Sequence, residues 1–197
     1  VLAIHPVDQA AGRAIFHAYH ADGAKPVVGI SVRDWQHETH FKEVMAEVSD
    51  RIVRELSARV VFLPMQFPED VRAAKSIAAL TKEPCTGLND EYTTSEFLSL
   101  VGNMDLMIAI RLHALIFAGV MGVPMIGISY DPKIDRFLDS IGEQPAGSLD
   151  TITADELMRE VRRKWHDKAA FRRKNAELLS VLRSLAARNA ELALNLI

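Results

Sequence analysis

In the stretch IAIRLHALIFAGVMGVPMIGISYDP, residues 108–132, one arginine and one histidine interrupt an otherwise apolar run. Arg111 and His113 stand where a strand hands over to a helix. A cation at a helix start opposes the helix dipole unless an anion lies opposite it, while the free N–H groups there already favour an anion. The pair therefore reads as a ligand site, the alternative being a structural ion pair between Arg111 and a nearby carboxylate. On the first reading, removing Arg111 relieves the fold. A guanidinium fork fits a carboxylate or a phosphate, and an imidazole titrating near neutrality suits proton transfer. Arg111 and His113 are the catalytic candidates.

Ligands of open parallel sheets bind beyond the carboxyl ends of the strands, and the residues at the other strand ends extend the candidate set. Arg33, Asp34 and Trp35 follow the first strand, Met65, Gln66 and Phe67 the second, and Ser129, Tyr130 and Asp131 the fifth. Arg33, Arg111, Gln66, Ser129, Tyr130 and Asp131 are the expected substrate contacts. Two arginines at two strand ends suit a ligand with two anionic groups. GISVRDW and IAIRLHA lack the glycines of a dinucleotide or P-loop fingerprint, so neither nucleotide type is expected. HETH, residues 37–40, has the wrong spacing for a zincin, and His17 and His20 have no evident third ligand. No metal and no cofactor are expected. Cys85, the one cysteine, reads as a small structural hydrophobe and fits a reducing compartment.

Elements that position these residues are legible from periodicity. VVGISV, RVVFLPM, CTGL, DLMIAI and PMIGIS are short, β-branched or apolar runs of the kind a buried parallel strand uses. Between them lie helical patterns, the clearest running from Glu38 to Ser57 with Phe41, Val44, Met45, Val48, Ile52 and Leu56 on one face. TTSEFLSLVGN carries its own cap and stop, and Gly122 and Gly142 stop two further helices. Strands alternating with helices give an α/β class, a Rossmann-like, doubly wound parallel sheet. The division expected is a linker helix over 1–25, a Rossmann-like domain over 26–152, and C-terminal helices over 153–197. Leu178, Leu185 and Leu192, with Leu182 and Leu196 beside them, form a seam that needs a partner surface.

Composition is that of an ordinary globular protein, 49% hydrophobic and 25% charged. No apolar run approaches the roughly 20 residues of a membrane span, and no secretory signal is present. A cytoplasmic location follows as the expectation, with no nucleic-acid partner. The chain opens with Val1 rather than methionine, as a piece of a longer protein would. Arg162 to Lys174 holds seven basic residues and one acid, either a solvated helix face or an attachment to an anionic membrane surface.

GISVRDW, LPMQFPEDV and IRLHALIFAGVMGVPMIGISYDPKIDRFLDSIG closely resemble the polysaccharide pyruvyl transferases, best the bacterial branch that decorates secondary cell-wall polymers. The likeness covers about residues 26–145. It implies one half, the C-terminal and donor-binding one, of a two-domain glycosyltransferase-like (GT-B) architecture whose N-terminal domain is absent here. It implies phosphoenolpyruvate as donor, a lipid-linked or polymeric sugar such as N-acetylmannosamine as acceptor, and transfer of the enolpyruvyl group as a cyclic ketal with release of phosphate. Arg111 and His113 fall on the family's RLH signature and Arg33 on its SVR. The fragment is expected to be inactive alone. The competing readings are a sugar-nucleotide glycosyltransferase or epimerase of the same fold, and a non-catalytic ligand-binding module.

Overall fold

The computed structural model describes residues 5–35 and 39–194 of the 197, and in the last helix the side chains as far as Val181 together with those of Ser184 and Arg188. Five parallel strands, β1 (Val27–Ser31), β2 (Arg59–Phe62), β3 (Cys85–Gly87), β4 (Leu106–Ala109) and β5 (Met125–Gly127), form one sheet in the order β3-β2-β1-β4-β5. Among the described residues eight helices surround it: α1 (Ala10–Ala18), α2 (His40–Leu56), α3 (Glu69–Ala78), α4 (Thr94–Gly102), α5 (Leu112–Met121), α6 (Pro132–Ser140), α7 (Ala154–His166) and α8 (Lys168–Leu194). The five strands and their intervening helices are those the sequence pattern predicts.

Alternation along the strands divides the core in two. Val28 and Ile30 of β1, with Val60, Phe62, Leu106 and Ile108, meet Phe41, Met45, Val48 and Ile52 of α2 and Leu157, Met158 and Val161 of α7. Val61, Met107 and Ala109 point the other way, toward Leu98 and Val101 of α4 and Leu115 and Ala118 of α5. Each of these side chains larger than alanine, fully buried, contributes roughly 1.5–3 kcal/mol. Gly29 lies against Met104, just after α4, whose sulfur occupies the space a Cβ would need, so a side chain there would force the methionine to move.

Local signals set the ends. Thr93 caps α4 and Thr153 caps α7, each in a reciprocal box with the glutamate three residues on. Gly122 closes α5 with φ of 69°, a conformation glycine adopts without strain. The helix read as a linker, α1, packs on α4: Ser99 Oγ accepts the Gly12 N–H at 2.8 Å and donates to the Asp8 carbonyl. At the other end, Phe171 of α8 is buried, and Asn175 donates to the Gly119 carbonyl. Within the leucine seam, Leu178 packs against the core. The side chains of Leu182, Leu185, Leu192 and Leu196 lie outside the described residues.

Five of the seven basic residues between 162 and 174 are in ion pairs. Arg162 reaches Glu55, Arg163 reaches Glu160, Lys168 reaches Asp105, and Lys164 and Lys174 share Glu143. No helix among the described residues is long and apolar enough to cross a membrane.

Candidate functional site

Strand order reverses direction between β1 and β4, the place where an open α/β sheet leaves a crevice beyond its strand ends. Ser31 pairs with Ala109 across these two strands. Arg33 and Arg111 each lie two residues further on, so the sheet's register delivers both to the same level of that crevice. Along with Asp34, Gln66, Glu69, Asp70 and Arg72 they line one cavity of about 350 Å³.

Arg111 is the N-cap of α5, in extended conformation. Its Nε donates to Asp70 Oδ2 at 3.0 Å, and its Nη2 donates to Asp70 Oδ1 and, at 3.1 Å, to Gln66 Oε1. Asp70 is 1% exposed, and its Oδ2 also accepts the backbone N–H groups of Met65 and Gln66 at 3.0 Å each. The carboxylate that the helix start requires is therefore present within the fold. The expectation that losing Arg111 would relieve the helix is overturned, because the loss would strand a buried anion. Arg111 Nη1 has no protein partner among the described residues, and it is the part of the guanidinium left for a ligand.

The other acids of this cavity are also paired, Asp34 with Lys42 at 2.5 Å and Glu69 with Arg72 at 3.3 Å. Arg33 has no carboxylate within ion-pair distance among the described residues. It packs instead between rings, 5.1 Å from the Trp35 centroid and 5.7 Å from that of Tyr130, and donates to the Tyr130 hydroxyl at 3.3 Å. Its Nε is buried without a partner.

Ser129, Tyr130 and Asp131 line a second cavity of about 440 Å³ with Trp35, Asp135, Ser148 and Asp150. Asp131 caps α6 by accepting the Lys133 N–H at 2.9 Å. Ser129 forms a bridge to Ser148 that turns the chain after β5. The two cavities meet across Arg33, which lines the first and bonds to Tyr130 of the second. His113, in the first turn of α5, is exposed and lines neither, with its ring 6.4 Å from Phe117. The structure thus gathers Arg33, Arg111 and Gln66 together, sets Ser129, Tyr130 and Asp131 beside them, and leaves His113 exposed outside both cavities.

Of the histidines considered for a metal, His17 pairs with Asp22 at 2.6 Å and His40 meets the Ile152 carbonyl at 3.2 Å; His37 lies outside the described residues. No metal-binding group of three or more ligand residues occurs among the described residues. A larger cavity of about 710 Å³ opens at the opposite end of the sheet, between α1 and residues 21–26. Its size does not make it the better candidate. Several of its charged groups are already paired, His17 with Asp22 and Asp105 with Lys168, and it lies away from the strand ends where helix N-termini converge.

Sequence reasoning missed Asp70. An acid in the first turn of a helix is ordinary, yet Asp70, Ala73, Ala74 and Ile77 make one buried face at helical spacing. A carboxylate on an apolar face announces a buried cation partner.

A family model described as polysaccharide pyruvyl transferase matches residues 3–132. No curated protein matches the chain. Among solved structures, E. coli ADP-heptose LPS heptosyltransferase II superposes with a TM-score of 0.64 at 15% identity, covering 83% of this chain and 53% of its own. The S. aureus MnaA–UDP complex gives 0.62 at 10% identity, with 86% and 44% covered. The C-terminal domain of a group 1 glycosyl transferase (LpcC) from Francisella tularensis gives 0.61 at 12%, with 89% and 97% covered. The fold is that of a GT-B-like half, and the chain spans about half the length of the first two of these proteins.

Proposed function

Because the chain belongs to the polysaccharide pyruvyl transferase family, we propose that it is the donor-binding half of an enzyme moving the enolpyruvyl group of phosphoenolpyruvate onto a sugar. The observation that carries the reading is the pair Arg33 and Arg111, set level by the β1–β4 register in one cavity, with Arg33 lacking any carboxylate partner among the described residues. Phosphoenolpyruvate carries a carboxylate and a phosphate, and two guanidinium groups at adjacent strand ends match it.

The reaction needs the donor's methylene carbon protonated to a methyl group, which leaves an oxocarbenium-like centre for one sugar hydroxyl to attack. A second hydroxyl then displaces phosphate and closes the ketal, each hydroxyl losing its proton. Arg111 Nη1 would hold the phosphate and offset the charge it gains on leaving. His113, exposed in the first turn of α5 two residues after Arg111, is suited by its chemistry to deliver the proton or to receive one. Gln66 and the Ser129–Asp131 turn supply polar contacts around the donor. The acceptor, a lipid-linked or polymeric sugar of the cell wall, would meet the donor from the absent N-terminal domain. Attachment to an anionic membrane would fall mainly to Arg172 and Arg173, the two cations of the basic stretch for which no ion pair is formed among the described residues.

The test is to incubate the full-length protein with phosphoenolpyruvate and candidate sugars, reading free phosphate and product mass. Acceptor-dependent phosphate release with a pyruvylated sugar is expected. Binding of a sugar nucleotide, with no release from phosphoenolpyruvate, would overturn the reading in favour of a glycosyltransferase or epimerase.

A further inference from the structure

We propose that Asp70 is the positioning residue of this site: its buried carboxylate fixes the guanidinium of Arg111 and the Met65–Gln66 backbone in one arrangement before any donor arrives. The proposal rests on the reading of Arg111 as the donor-phosphate ligand, and goes beyond it by assigning a residue that touches no substrate.

Four hydrogen bonds converge on Asp70. Two come from Arg111, through Nε and Nη2, and two from the N–H groups of Met65 and Gln66. Gln66 Oε1 then accepts from Nη2 as well, which closes a ring of contacts around the guanidinium edge facing α3. The consequence for chemistry is directional. With Nε and Nη2 occupied, the arginine can turn only Nη1 toward the cavity it lines. A flexible side chain would have to be ordered by each donor molecule, whereas this one is ordered by folding. Asp70 also places a negative charge beside Arg111, so the pair adds little net attraction for the donor's ground state. What it adds is a donor group aimed where charge develops.

That division separates positioning from simple support of the fold. In the full-length enzyme, Asp70→Asn keeps an oxygen able to accept the two backbone N–H groups but removes the charge that clamps Arg111. The KM for phosphoenolpyruvate should stay level or fall, since an anion has left the site. The kcat should drop about 100-fold, as when an oriented oxyanion donor is lost. Asp70→Glu, which restores the charge one methylene too far out, should not rescue kcat. A loss of activity that tracks only the folded fraction measured by thermal melting, with kcat per folded molecule unchanged, would overturn the proposal. So would full rescue by Asp70→Glu.

Peptide-mapped phenylglyoxal labelling provides a readout independent of the donor's identity. Arg111 should label several-fold faster in Asp70→Asn than in the unmodified enzyme, with the exposed Arg13, at the opposite end of the sheet, as an internal reference that does not change. Equal labelling of Arg111 in both would show that Asp70 does not hold it, even in a protein that makes no use of phosphoenolpyruvate. Faster labelling in an enzyme inactive toward phosphoenolpyruvate would uphold the clamp and reject the donor assignment alone.

Discussion

At Arg111 the nitrogens of one side chain have different neighbours, so stability and chemistry depend on different parts of it. Arg111→Ala leaves Asp70 buried and unpaired, and breaking a buried pair from one side costs about 3–5 kcal/mol. Urea denaturation should show a loss of that size, with Arg111→Lys intermediate because one ammonium cannot span both carboxylate oxygens. A loss under about 1 kcal/mol, the surface-pair value, would mean that water reaches Asp70. His17 gives a pH signature. Its hydrogen bond to Asp22 holds the imidazole's pKa above the usual value and the Asp22 carboxyl below its own. A group whose pKa rises on folding loses its contribution as pH climbs through the raised value, and one whose pKa falls loses it as pH drops through the lowered value. The contact at the end of α1 is therefore strongest between the two and weakens once pH passes the raised His17 value. NMR titration should place His17 above an ordinary histidine and return it to normal in Asp22→Asn. Arg33 and Arg111 of the cavity were legible because charge at a strand end conflicts with local preference. Asp70 was not, since a carboxylate near a helix N-terminus satisfies the dipole whether it faces water or the core, and only its register with Ala73, Ala74 and Ile77 tells the two apart.

Whole elements were read more completely than single contacts, for a physical reason. Strands buried on both faces must be apolar throughout, and helices covering them must be apolar on one side, so the two periods are written into the composition. Contacts that join elements leave no such period. Ser99 fastening Asp8 and Gly12 to α4 is one, and it turns a segment read as a linker into a packed helix. A Cβ at Gly12 would collide with the Ser99 carbonyl, which is backbone and cannot move aside. Gly12→Ala should therefore loosen α1 specifically, seen as faster amide exchange over residues 10–18 with the β-sheet still protected. Lys164 and Glu143 are a second such contact, joining α7 to the turn after α6. Burial depresses the Lys164 pKa more than Glu143 raises it. The unfolded chain thus holds its proton more tightly, and stability rises with pH across that interval. Glu143→Gln should destabilise near neutral pH and do so less once the pH has passed the ordinary lysine range, where Lys164 is neutral; equal losses at both would show that the ammonium's charge is not what Glu143 compensates.

For the molecule as a whole, the sheet order matters beyond the site it builds. β1 lies at the centre, and its partners come late: Val28 pairs with Val60 of β2 and with Leu106 of β4. A chain made from its N-terminus therefore carries its central strand for about eighty residues before the second neighbour exists. Over that interval the β4-facing edge of VVGIS, with its main-chain groups unpaired, is open to any passing strand. Stalled nascent chains ending between β3 and β4 should pellet or recruit a holdase, and chains long enough to expose Ala109 outside the ribosome should not. The crevice that sets Arg33 level with Arg111 thus comes with a period of vulnerability during synthesis, because the same late strand closes the edge and brings the second arginine.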